Sequence, residues 1–130
     1  MNGNTKKLTL SLKKQWFDLT KAGIKTEDYR EITPYWAKRF LKYNGRVMST
    51  NFWASLLIGK EFIEMFFEDI SFVNFNSNIM TLGYPKSTDT DRILKLEHKG
   101  IEIGYGKSEW GAEPNKLYFI IKHGAIINEH

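Results

Sequence analysis

Leu8-Thr9-Leu10-Ser11-Leu12 alternates apolar and polar residues without a break, the period of a strand with one face buried and the other wet. Just behind it, Leu12, Trp16 and Leu19 fall at i, i+4 and i+7. That spacing predicts a helix over Lys13 to Ala22, with Gly23 placed as the residue just past its end. Next comes a dense charged run, Gly23-Ile24-Lys25-Thr26-Glu27-Asp28-Tyr29-Arg30-Glu31. Thr26 to Ile32 reads as a short strand or an extended loop. Thr33-Pro34 then supplies an N-cap and a first helical residue. The helix it opens carries Trp36 and Phe40 on one face, with Lys38, Arg39 and Lys42 turned away, and is expected to close at Gly45.

Farther along, residues 47–68 hold the apolar pairs Phe52/Trp53, Leu56/Leu57, Phe62/Ile63 and Phe66/Phe67 at mostly helical spacing, broken at Gly59, which predicts one or two helices. Asp69 to Phe75 reads as a strand and Tyr84-Pro85-Lys86-Ser87-Thr88 as a turn or loop. Asp91 to Ile103 is either one long strand with a bulge or a hairpin turning near Lys99-Gly100. Gly104 to Asn115 reads as a glycine-rich loop and Leu117 to Ile121 as a last buried strand. The order β-α-β-α-(α)-β-β-β lacks the clean βα alternation of a doubly wound sheet, so an α+β fold with a curled sheet is expected.

The chain has 130 residues, one domain's worth. Hydrophobic residues make up 42% and aromatic residues 15%, enough to bury a core and to exclude global disorder. Cysteine is absent, which removes disulfides, thiolate metal sites and cysteine nucleophiles and fits a reducing, cytoplasmic setting. No apolar run reaches the ~20 residues of a membrane span, and Met1 to Lys7 reads as a flexible polar tail without the apolar stretch of a signal peptide. No membrane partner is therefore expected. The net charge of +4 is unevenly spread: residues 1–46 hold 11 Lys and Arg against 4 Asp and Glu, and residues 47–130 hold 8 against 11. The first third is the region expected to face an anion.

Common catalytic signatures are missing: there is no G-x-S-x-G and no G-x-x-x-x-G-K-[ST]. His98, His123 and His130 show no ligand spacing, so neither a metal nor a cofactor is expected. Gly104-Tyr105-Gly106 lacks the third glycine and the following helix of a dinucleotide fingerprint. The charged run is different. Lys25, Asp28 and Arg30 are spaced to surround one small cleft, where such a set holds phosphate, hydrogen-bonds a base, or tunes proton affinity. The plainer reading of the same residues is a solvated turn. Trp16 and Trp36 lie on apolar helix faces and are expected in the core, whereas Trp110, between glycines, is a candidate cleft residue.

Leu8-Thr9-Leu10-Ser11-Leu12, a helix, and then Gly23-x-Lys25-x-x-Asp28-x-Arg30 resembles the opening of an ASCH domain, with Asp28 in place of the usual glutamate. Further segments resemble small phage and bacterial ASCH proteins: Lys14-Gln15-Trp16-Phe17-Asp18, Asp28-Tyr29-Arg30-Glu31-Ile32-x-Pro34-Tyr35-Trp36, Gly106-Lys107-x-Glu109-Trp110-Gly111-Ala112-Glu113-Pro114 and Tyr118-Phe119-Ile120-Ile121-Lys122-x-Gly124. The likeness covers most of residues 8–126 and treats 45–68 as a partly helical elaboration. It implies a PUA-like mixed β-barrel with flanking helices that binds RNA or a nucleotide in a cleft by the signature. Lys25, Tyr29, Arg30, Tyr35, Lys107 and Trp110 would contact the ligand, Asp28 accepting hydrogen bonds from a base or orienting Arg30. Some small ASCH proteins remove the acetyl group from N4-acetylcytidine, which implies a second reading as a hydrolase on a modified nucleoside. There Lys25 would act as general base, the threonine position of those enzymes falls on Asp28, and the downstream glutamate falls at Glu109 or Glu113. Asp28 or Glu113 would then position water or shuttle a proton. A protein-interaction domain is a third, weaker reading.

Overall fold

The first strand, β1 (Lys7–Leu12), buries Leu8, Leu10 and Leu12 and leaves Lys7 and Thr9 exposed, as strict alternation requires. The computed structural model describes residues 6–57 and 68–127. Most of the expected tail, the second half of the expected helical stretch 47–68, and His130 lie outside the described residues.

Leu12 leads into α1 (Lys14–Lys21), which buries Phe17 and Thr20. Strand β2 (Glu27–Glu31) follows, and Thr33 then opens α2 (Pro34–Phe40) by accepting the Trp36 N–H on its hydroxyl oxygen, with Pro34 in the first turn. The helix stops at Phe40, five residues short of the expected Gly45. Leu41 turns extended and begins β3 (Leu41–Tyr43), which pairs antiparallel with β4 (Ile70–Phe72). Gly45 closes a turn instead of a helix. Asn44 and Gly45 both take positive φ, and Tyr43 and Arg46 exchange two backbone hydrogen bonds across them, the two-residue turn that Asn-Gly favours. Strand pairing beats helix continuation because Leu41 becomes fully buried. Helix α3 (Thr50–Leu57) packs on α2 with Trp53 fully buried.

The main sheet has five strands in the order β1-β5-β6-β7-β2, where β5 is Ser77–Leu82, β6 is Ile93–Tyr105 and β7 is Leu117–Ile126. Only β1 and β5 run parallel; the other neighbours are antiparallel. Strand β5 occupies a stretch from which the sequence pattern predicts no strand, and β7 runs five residues beyond the expected Ile121. Residues 93–105 form one strand with irregular register, not a hairpin. The pairing Leu96↔Ile126, His98↔His123, Gly100↔Lys122 adds a residue first on β7 and then on β6. These bulges change which parity faces inward, from Leu94 and Leu96 to Ile101 and Ile103.

Residues in register share a face, so the inner face of the sheet can be traced across it. Leu10 lies beside Met80 and Leu94, Leu8 beside Asn78 and Leu96, and Ile121 beside Ile101 and Asp28. Phe40 of α2 meets Phe119 edge to face with centroids 5.2 Å apart, closing the core. The result is an α+β molecule: a curled mixed sheet, a half-barrel, with three α-helices among the described residues. None of those helices is long and apolar enough to cross a membrane. The edges of the half-barrel are β1 and β2, and the gap between them carries the site.

Candidate functional site

The edge strands are tied by one side chain. Arg30 of β2 donates from Nη2 to the Ser11 carbonyl of β1 at 3.1 Å and from Nη1 to the Tyr29 carbonyl at 3.0 Å. This satisfies an edge carbonyl that would otherwise be open to foreign strands. Two N–H groups are thereby used; a guanidinium has five. The guanidinium carbon lies 5.3 Å from the Trp36 ring centroid.

Around this bridge opens a cavity of about 560 Å³, within the size range of small-ligand clefts. Its wall on the β1 side is Thr9 to Lys13 with Trp16; on the β2 side it is Lys25, Asp28, Tyr29 and Arg30. Tyr35 and Trp36 come from the start of α2, Thr81 and Tyr84 from the end of β5 and the turn after it, and Trp110, Gly111 and Tyr118 from the loop before β7 and the strand itself. Seven of these seventeen side chains are Trp or Tyr. Tyr84 is 95% and Tyr35 53% exposed at the rim, while Trp110 is only 9% exposed.

The loop that carries Trp110 is pinned by two phenols. Tyr29 Oη accepts the Lys107 N–H at 2.9 Å and donates to Glu27 Oε1, and Tyr118 Oη accepts the Glu113 N–H at 3.0 Å. The two rings lie against one another with centroids 5.7 Å apart. Burial raises the Tyr29 phenol above its ordinary range, so it stays protonated and able to donate. Gly111 brings the loop against α1. It has φ of +99°, and a Cβ there would sit 2.9 Å from Trp16 Cζ2, so no other residue fits without displacing the indole.

Below the rings lies a buried polar chain. Lys25 Nζ donates to Asp28 Oδ1 at 2.5 Å and to the Glu27 carbonyl. Asp28 Oδ2 is 2.6 Å from His123 Nε2, and His123 Nδ1 is 2.9 Å from Asn78 Nδ2. Asn78 also donates to the Lys122 carbonyl, and its Oδ1 is 2.8 Å from His98 Nδ1. Lys25, Asp28, His123 and Asn78 are all buried, and each is satisfied, as groups withdrawn from water must be. Burial alone would push the Asp28 carboxyl up, yet the His123 hydrogen bond and the Lys25 charge outweigh it and hold it below its ordinary range. Burial dominates at Lys25 and lowers its amine, although Asp28 pulls the other way. Burial lowers the Arg30 guanidinium in the same direction.

Of the residues singled out by the sequence pattern, Lys25, Asp28, Tyr29, Arg30, Tyr35 and Trp110 line this one cavity. Lys107 and Glu113 do not. Lys107 covers Trp110 with its ammonium 4.5 Å from the ring centroid, and Glu113 pairs with Lys116 on the surface. Glu109 is exposed outside the lining. Both oxygens of Asp28 are engaged, Oδ1 by Lys25 and Oδ2 by His123. Trp16 and Trp36, expected in the core, are half-buried and serve both core and cavity. Sequence reasoning missed Asn78 and His123, and nothing in local spacing reveals them, since they lie 50 and 95 residues from Asp28. Among the described residues no group of His, Asp and Glu is arranged to hold a metal ion. Comparison with protein-family models, with curated proteins and with solved structures finds no match to this chain.

Proposed function

We propose that the cavity between β1 and β2 binds a nucleotide or a short stretch of single-stranded RNA, in the manner expected of an ASCH domain on a PUA-like barrel. The observation that carries this reading is the union of aromatic walls with Arg30 at their centre. Unpaired bases are held by stacking on aromatic and guanidinium planes, and their phosphates by cations. Arg30 keeps N–H groups beyond its two backbone contacts, and Lys25 brings a second cationic side chain to the same wall. Such a wall favours a ligand that is flat, rich in acceptors and negatively charged. The basic excess of residues 1–46 supports the same partner. Fluorescence anisotropy with a labelled single-stranded RNA oligomer at low salt tests it. Saturable binding is expected, weakening as salt rises, and Arg30→Ala weakens it about tenfold or more, the scale of one charged hydrogen-bond anchor. Absence of binding at low salt contradicts the proposal.

A hydrolase acting on an acylated nucleoside is a second reading, favoured by the Lys25 amine at the cavity wall. Lys25 lies 5.8 Å from the Trp16 centroid and 5.9 Å from that of Tyr29, and its burial lowers its proton affinity, as a general base requires. In the amine form it would take a proton from water attacking the amide carbonyl and return it to the departing exocyclic nitrogen, leaving acetate and the deacetylated nucleoside. Glu113 plays no part in this version, since it is outside the cavity. Turnover of N4-acetylcytidine, lost in Lys25→Met, is the expected result; a folded Lys25→Met protein with unchanged turnover excludes the role.

A further inference from the structure

The chain behind Lys25 is more ordered than support for a single ion pair requires, and its hydrogen bonds have a direction. The Lys122 carbonyl can only accept, so the Asn78 amide must turn its NH₂ toward it. That leaves the second Asn78 N–H pointing at His123 Nδ1 and the Asn78 oxygen facing His98 Nδ1. His123 Nδ1 therefore accepts and is bare. The imidazole proton sits on Nε2 and is donated to Asp28 Oδ2. His98 in turn donates from Nδ1. An amide does not pass protons along as an imidazole does, so Asn78 interrupts the path from His98 to Asp28. The arrangement orients groups; it does not conduct protons.

We propose that Asn78 and His123 are positioning residues for the cavity: Asn78 fixes the His123 tautomer, and His123 fixes Asp28 in the orientation that presents Lys25 to the ligand. The placement supports this. Asn78 is fully buried on the inner face, in register with Leu8 and Leu96, where leucine would suit the core better than an amide unless the amide had a directional task. The strands that bring Asn78, His123 and Asp28 together are β5, β7 and β2, and Lys25 lies just before β2. The charged and titratable groups facing the Lys25–Asp28 pair are Glu27, Tyr29 and Arg30 of the β2 strand and His123 of β7, with His98 of β6 behind His123. The inference rests on the cavity being a ligand site.

The test combines spectroscopy with binding. Long-range ¹H–¹⁵N correlation of the wild-type chain is expected to show His123 with its proton on Nε2 and a bare Nδ1; a proton on Nδ1, with or without one on Nε2, overturns the proposal. His123→Gln retains an amide N–H able to reach Asp28, whereas His123→Phe retains the ring and removes the donor. Followed through its ¹³Cγ resonance, Asp28 is expected to titrate below an ordinary carboxyl in the wild type and in His123→Gln, and markedly higher in His123→Phe. Affinity for a single-stranded RNA oligomer is expected to fall about tenfold in His123→Phe and to stay within about twofold of the wild type in His123→Gln. Folded variants that behave alike overturn the proposal. If His123→Phe does not fold, the wild-type tautomer decides alone. The tautomer and the Asp28 titration need no ligand, so an RNA-binding failure in the wild type counts against the cavity reading and leaves the positioning role to be decided by these two signals.

Discussion

Asp28 is 2% exposed and holds a lysine amine with one oxygen and an imidazole with the other. Replacing it by asparagine changes the shape little but leaves the Lys25 ammonium buried without its counter-charge. Breaking a buried pair in this way costs about 3–5 kcal/mol, and urea unfolding of Asp28→Asn is expected to show a loss of that order. The pH dependence follows from the direction of the shift. The folded carboxyl titrates below 3.8, so its stabilisation is fully present above that pH and disappears as pH falls through the lower, folded value. Lys25 works at the other end. Its folded amine titrates below 10.5, so the unfolded chain binds more protons between the two values and stability rises with pH in that window. Unfolding measured between pH 2 and 5 should show that Asp28→Asn lacks part of the wild-type acid limb. Lys25, Asp28 and Arg30 were legible in the sequence because they are near neighbours on one short strand and the residues before it. Their partners Asn78 and His123 were not, because only sheet register brings β5 and β7 to β2.

At the scale of elements, the loop between β6 and β7 and the first turn of α2 deliver the rings to the cavity. Gly111→Ala meets both a left-handed backbone and the Trp16 indole. It is expected to cost about 1–3 kcal/mol in chemical denaturation and to weaken RNA binding, because Trp110 is the preceding residue. Thr33→Ala removes the cap of the helix that carries Tyr35 and Trp36, at about 1 kcal/mol, measured by the same unfolding curves. The reach of the sequence pattern differs from element to element. Thr33-Pro34 and the alternation of residues 8–12 were readable because each signal is local. Strand β5 was not, since Ser77 and Asn78 are both buried and their polarity hides the alternation that Ile79 and Met80 would begin. The end of α2 is hidden for a similar reason: Asn44-Gly45 terminates a strand, and helical spacing through Phe40 and Leu41 conceals where the backbone becomes extended.

At the scale of the whole molecule, an incomplete barrel creates the site. Closing a sheet removes its edges and fills its interior with side chains; here β1 and β2 are instead bridged by Arg30, and the space beside the bridge stays open. The charge asymmetry of the sequence acquires a location, because β1, α1, β2 and α2 all come from the basic first third and form most of the cavity wall. Three of the four tryptophans, Trp16, Trp36 and Trp110, line that wall, whereas Trp53 is buried elsewhere in the core. Their intrinsic fluorescence therefore reports occupancy directly. On titration with single-stranded RNA at low salt, saturable quenching that survives in Trp53→Phe and is strongly weakened in Arg30→Ala is the predicted result. An unchanged tryptophan signal, or equal affinity for the wild type and Arg30→Ala, would contradict the assignment of this cavity as the binding site.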